Sequence, residues 1–163
     1  MIKNSLIYTC ALLLLAMCFA APLYSQTPPD PSHMIVGVSD LKWTPIIKGC
    51  DLAAVQGNPD ADGPNFVIRL RCTAGSQIPA HWHPTDENVT VLKGVFQVGM
   101  GDKFDQSKLL TMNVGSFASM PKEMRHYAFS KTDTIVQVHG VGPFKVIWVN
   151  PAEVTPPGTK PKS

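Results

Sequence analysis

Two histidines one residue apart, followed by a glutamate, stand out in the stretch Gly75-Ser-Gln-Ile-Pro-Ala-His81-Trp-His83-Pro-Thr-Asp-Glu87. Successive side chains of a β-strand alternate between its two faces, so His81 and His83 present both imidazoles on one side. The turn Pro84-Thr85-Asp86 is short enough to bring the Glu87 carboxylate beside those rings as the next strand begins. Two neutral nitrogens and one anionic oxygen form a ligand set of intermediate softness, suited to first-row divalent metals. A second segment, Gly115 to His126, ends one strand, turns at Pro121 and opens another strand on a histidine. If that strand packs across a barrel from the first pair, His126 becomes a fourth ligand.

These residues must be held by sheet. Between Met34 and Val154 the chain reads as short alternating or β-branched runs punctuated by Gly, Pro, Asn or Asp, with no sustained helical period. The expected strands are Met34 to Val38, Asp51 to Gln56, Asn65 to Cys72, Ala80 to His83, Asn88 to Lys93 and Val95 to Met100. They continue with Lys108 to Val114, Ser116 to Met120, His126 to Ser130, Ile135 to Val138 and Phe144 to Val149. Many short strands at near-regular spacing imply an all-β sandwich or closed antiparallel barrel. Phe96, Met100, Met112, Phe117 and Met120 read as its core, whereas Trp82 and Tyr127 point opposite to the neighbouring histidines and read as packing or subunit contacts.

Folding a hairpin about Ala61, inside the turn-rich Gly57 to Gly63, sets Cys50 opposite Cys72, Leu52 opposite Leu70, Ala54 opposite Ile68 and Asp51 opposite Arg71. A disulfide between Cys50 and Cys72 and a pair of buried thiols both fit this register.

On these residues the chain resembles a cupin. The family's first motif, G-x5-H-x-H-x3-4-E-x6-G, is met by Gly75, His81, His83, Glu87 and Gly94, and its second, G-x5-P-x-G-x2-H-x3-N, by Gly115, Pro121 and His126. Glu123 stands where the family often has Gly, and Ser130 where it often has Asn. The resemblance spans roughly residues 40 to 150 and implies a single-domain double-stranded β-helix, a jelly-roll barrel, holding one divalent transition metal. Fe2+ or Mn2+ is favoured, and Zn2+, Ni2+ or Cu2+ also fit the ligands. His81, His83, Glu87 and His126 would leave one or two coordination positions for water, dioxygen or a bidentate oxygen substrate. Similar cupins include dioxygenases, oxalate-degrading enzymes, isomerases and germin-like oxidases. The resemblance therefore implies a small-molecule oxidoreductase of dioxygenase type, with a metal-dependent isomerase or lyase and a non-catalytic ligand-binding cupin as alternatives.

His139 shares a strand face with Gln137, and in a barrel that face could look toward the metal, making the pair catalytic or substrate-orienting. A strand-end histidine bonded to nearby backbone is the plainer alternative. Arg69 and Arg71 alternate with Ile68, Leu70 and Cys72, which implies a charged, solvated strand face, or less simply a grip on an anionic substrate. His33, in the Pro-rich lead-in, reads as solvated.

Met1 to Ser25 has the form of a secretory signal peptide: Lys3, an apolar stretch from Leu6 to Ala21, and small residues at Ala20, Ala21 and Ser25. That stretch is shorter than the roughly 20 residues that span a bilayer. A lipoprotein anchor at Cys18 is the less favoured alternative, since Met17 fits poorly before an acylated cysteine. The expected organisation is 1–25 leader, 26–39 Pro-rich lead-in with a first strand, 40–152 barrel and 153–163 tail. The expected location is periplasmic or secreted. The 14 basic residues, Lys3 among them, nearly balance 12 acidic ones, which speaks against a nucleic-acid surface. A small molecule is the expected partner. Cupins commonly dimerise, and Trp43, Trp82 and Trp148 offer aromatic surface for a homodimer.

Overall fold

The computed structural model describes residues 34–158. The leader, Cys18 and His33 lie outside the described residues, as does the last part of the tail. Eleven strands run in the order β1 (Thr44–Ile47), β2 (Cys50–Gln56), β3 (Asn65–Cys72), β4 (Gln77–Trp82), β5 (Glu87–Lys93) and β6 (Phe96–Met100). They continue as β7 (Leu110–Met112), β8 (Phe117–Met120), β9 (His126–Ser130), β10 (Thr134–Val141) and β11 (Ile147–Trp148).

Two antiparallel sheets result, one ordered β1-β2-β3-β10-β5-β8 and the other β11-β4-β9-β6-β7. From β3 onward the chain passes back and forth between them, except at the β6–β7 hairpin, which stays in the second sheet; this is the jelly-roll winding expected of an all-β chain with this patterning. One core joins both sheets. Phe66, Ile68, Val89, Val91, Val136 and Val138 from the first meet Ile78, Phe96, Val98, Met112 and Ala128 from the second. Each fully buried side chain of this size contributes roughly 1.5–3 kcal/mol through loss of apolar surface to water.

The β2–β3 hairpin forms in the register deduced from the sequence, with Cys50↔Cys72, Asp51↔Arg71, Leu52↔Leu70 and Ala54↔Ile68. Cys50 and Cys72 are joined by a disulfide. Inward Ile68 and Leu70 alternate with outward Arg69 and Arg71. Arg71 pairs with Asp51 at 2.8 Å and lies over the Trp43 ring, while Arg69 reaches Gln137 on the next strand at 3.4 Å. Gly94 makes the β5–β6 turn at a φ of 78°, and a Cβ there would collide with the Asp133 carbonyl oxygen.

Several expectations are corrected. Met34–Val38 forms no strand; Met34, Ile35 and Val38 are exposed, Val38 opens a 3-10 turn at Val38–Asp40, and β1 begins instead at Thr44. Met100 and Phe117 are exposed rather than core: Phe117 falls on the outward parity of β8, and Met100, although it shares the parity of buried Phe96 and Val98, is the last residue of β6. Phe96, Met112 and Met120 are buried as expected, and Tyr127 is fully buried as a packing residue, its hydroxyl donating to the Asp105 carbonyl at 3.2 Å. Among the described residues no helix is long and apolar enough to cross a membrane.

Candidate metal centre

The site sits at one end of the barrel, where three strands and two turns meet. His81 lies near the end of β4 and His83 just beyond it; Glu87 opens β5 in the other sheet, and His126 opens β9. Contrary to the expected placement across the barrel, β9 is the direct neighbour of β4, with His81 and His126 as register partners. The opposite wall supplies the carboxylate instead. Strand neighbourhood follows from how the sheets close, which a local pattern of alternation does not contain.

The candidate ligand nitrogens of His81, His83 and His126 lie within 4.8 Å of one another, and all three residues are buried. Glu87 Oε2 lies 3.0 Å from His126 Nε2 and 3.6 Å from His83 Nε2. Each ring is aimed by its other nitrogen. Nδ1 donates to the Pro79 carbonyl from His81 at 2.8 Å, to the Lys145 carbonyl from His83 at 2.8 Å, and to the Met124 carbonyl from His126 at 2.9 Å. A carbonyl can only accept, so the Nδ1 hydrogen is fixed and a neutral ring keeps its lone pair on Nε2. Among the described residues His83 Nε2 is the buried side-chain polar atom that lacks a hydrogen-bond partner.

Electrostatics favour neutral imidazoles at two of the three positions. Burial lowers His81 to about 3, with the charge of His126 acting the same way against an opposing pull from Glu87. Burial also lowers His83, again against Glu87. For His126 burial acts downward, but the hydrogen bond and charge of Glu87 outweigh it and hold the ring above its ordinary value. Burial likewise pushes Glu87 up, yet the His126 hydrogen bond and the charges of His83 and His126 keep it below the usual carboxylate range. A cation would replace the proton shared by this pair. Three pre-aimed lone pairs, one orphaned buried nitrogen and one carboxylate fit a first-row divalent ion.

The centre opens into a cavity of about 240 Å³. Its wall is built from Leu52, Ile68 and Leu70 on the hairpin, Val136 and Val138 on β10, and the Phe144, Val146 and Trp148 series, among other apolar residues. Phe144 stacks on His83 at 4.1 Å between ring centroids, and Trp148 stands 5.3 Å from His81. The segment carrying Phe144 is pinned by the β2–β3 loop, since Phe144 N–H donates to the Pro59 carbonyl at 2.6 Å and Gly63 N–H to the Gly142 carbonyl at 3.1 Å. Sequence reasoning missed these two aromatics as site residues and offered Trp148 as dimer surface. The signal was present: Phe144, Val146 and Trp148 share one parity.

Gln137 and His139 do not reach this cavity. On β10 the inward positions are Val136 and Val138, so Gln137 and His139 face outward, where Gln137 accepts from Arg69 and His139 is exposed. Their expected orienting role is corrected accordingly, because parity counted from the buried valines fixes the face. Glu123, at the family's usual glycine, adopts a φ of 65°, so the turn keeps its left-handed shape, and its N–H donates to the His83 carbonyl at 2.8 Å. Ser130 is buried and hydrogen-bonded to Thr134 at 2.8 Å.

Residues 31–145 match the family described as the ChrR cupin-like domain. No curated protein matches the chain. Among solved structures, the polyketide cyclase RemF from Streptomyces resistomycificus is similar over 74% of this chain and 88% of its own, at 17% identity and a TM-score of 0.60. A putative acetylacetone dioxygenase from Methylibium petroleiphilum PM1 aligns over 76% and 85%, at 16% identity and a TM-score of 0.57. KdgF from Halomonas sp. aligns over 69% and 96%, at 17% identity and a TM-score of 0.54. At these identities the likeness is one of fold.

Proposed function

This chain belongs to the ChrR cupin-like family, and from that premise we propose that it is an exported, mononuclear metal-dependent cupin that acts on a small molecule as an oxidoreductase of dioxygenase type. The observation that carries the reading is the convergence of three imidazoles, each with Nδ1 tied to a carbonyl, on the Glu87 carboxylate at the floor of an apolar cavity. His81, His83, Glu87 and His126 would hold the ion, Fe2+ or Mn2+ in this proposal. When bound, such an ion supplies a Lewis-acid centre and, for iron or manganese, access to electron transfer with dioxygen. The residues supply the rest. The carbonyls of Pro79, Lys145 and Met124 hold the ring orientations, and Phe144 and Trp148 shield the ligands from water.

The resemblance of fold to a putative acetylacetone dioxygenase supports the oxidative reading, and the resemblance to a polyketide cyclase keeps a redox-neutral reaction as the second reading. The Cys50–Cys72 disulfide supports export to the periplasm or beyond. A homodimer completes the proposal, with Leu110, Val114 and Phe117 exposed along one stretch of chain as apolar surface for it.

Metal analysis of protein purified without oxygen is the first test. One equivalent of divalent metal is expected in the parent, and at least ~100-fold weaker binding when His81 or His126 becomes alanine, since even residues that merely support a ligand are worth 10- to 100-fold. Metal retained by the quadruple alanine variant at parental affinity would overturn the reading. Dioxygen uptake by the Fe2+-loaded protein with candidate substrates then favours the oxidative reaction, and product formed without oxygen favours the redox-neutral one.

A further inference from the structure

Among the described residues the wall of the cavity carries no lysine, no arginine and no acidic group apart from Glu87. Besides the metal-ligating set, Trp148 has the one hydrogen-bonding side chain among the described lining residues; every other described lining side chain is aliphatic, aromatic or thioether. The cations of the adjoining wall are turned away: Arg69 is bonded to Gln137 and Arg71 to Asp51 on the outer face of β3. A divalent ion held by Glu87 would carry one uncompensated positive charge. One negative charge at the chelating atoms neutralises it. A second, anywhere along the ligand, would enter a wall offering it neither a cation nor an ordered row of donors, and burying an unpaired charge is strongly unfavourable.

Resting on the metal-dependent function proposed above, we infer that the site selects ligands that are uncharged or bear a single negative charge at an oxygen-chelating head, with an apolar remainder, and rejects ligands carrying a carboxylate beyond that head. The volume of about 240 Å³ lies just below the roughly 300–1,000 Å³ of ordinary small-molecule cavities, so the remainder is compact. Specificity then resides in the wall. Ile46 and Val146 line the cavity yet remain exposed, so both stand at its rim.

The test uses two probes with one head: 2-hydroxy-1-phenylethanone and its para-carboxylate. Protein loaded with Co2+, whose absorption spectrum reports ligation, is titrated with each, and binding is read from the cobalt bands and from the fluorescence of Trp148, with Trp148→Phe as control. The neutral probe is expected to bind at least tenfold more tightly than its carboxylate. Ile46→Arg and Val146→Arg, each a change at an exposed rim position, are expected to shrink that ratio by supplying the missing cation. Equal or tighter binding of the carboxylate by the parent would overturn the inference while leaving the metal centre standing, as would an unchanged ratio in both arginine variants that still bind the neutral probe. Failure of Co2+ to load at His81, His83 and His126 would instead overturn the proposed function, and this inference with it.

Discussion

Single side chains in this protein are positioned by what their less conspicuous atoms do. His81 and His126 each hand Nδ1 to the carbonyl two residues back, Pro79 and Met124, so the backbone beside each ligand sets its ring before any ion arrives. Glu123 is a contrasting case. Its φ of 65° lies in the left-handed region, where a side chain costs roughly 1–2 kcal/mol, against the 0.5–1 kcal/mol of chain entropy that a glycine loses on folding. Glu123→Gly should therefore stabilise the fold by about 0.5–1 kcal/mol, measured as an upward shift of the denaturant midpoint at unchanged slope. A downward shift would mean that the Glu123 side chain contributes more than its backbone conformation costs.

Strands and hairpins carry the next level of organisation. The β2–β3 hairpin furnishes Leu52, Ile68 and Leu70 to the cavity, and its disulfide closes a loop of sequence separation 22 at the end far from the turn. For a loop of that size the link is worth about 3 kcal/mol, chiefly by restricting the unfolded chain. Cys50→Ser with Cys72→Ser should lower the melting temperature by about 10 °C in a domain of this size, and reduction of the parent should do the same in a thermal scan. An unchanged melting temperature in both would show the hairpin to be held by its ladder alone. The turn of this hairpin also pins the segment bearing Phe144, so loosening it should broaden the environment of the His83 ring. Truncating Ile68, which is almost wholly buried, to alanine should cost about 2–5 kcal/mol in chemical denaturation.

For the molecule entire, the buried ionisable cluster makes the stability of the metal-free protein depend on pH in a defined way. His126, raised in the fold, adds stability that is complete below its ordinary value of 6.5 and is lost as pH rises through the higher folded value. His81 runs the other way. Lowered from 6.5 to about 3, it stays neutral in the fold while the unfolded chain takes up a proton, so stability falls as pH drops below 6.5. His83 acts in the same direction. Glu87, held below the usual carboxylate range, adds stability above about 4.5 that disappears at more acid pH. The stability of the metal-free protein should peak near pH 6.5, and His81 alone should remove about 2 kcal/mol by pH 5. Denaturant titrations across pH 4–8 check this, and a profile flat between pH 7 and pH 5 would contradict it.

The sequence by itself determined the types and spacing of the chemistry-bearing residues, the all-β class, most strand positions and the register of the β2–β3 hairpin. These follow from the two-residue repeat of the pleat and from turn residues, which are local properties. Only the tertiary structure decided that β9 lies beside β4 rather than across from it, that Gln137 and His139 face outward, and that Phe144 and Trp148 close over the histidines. It also decided that Phe117 and Met100 face solvent. Alternation says that two faces exist, but which one is buried depends on the closure of two sheets around a shared core, and that is a balance of contacts between residues far apart in the chain.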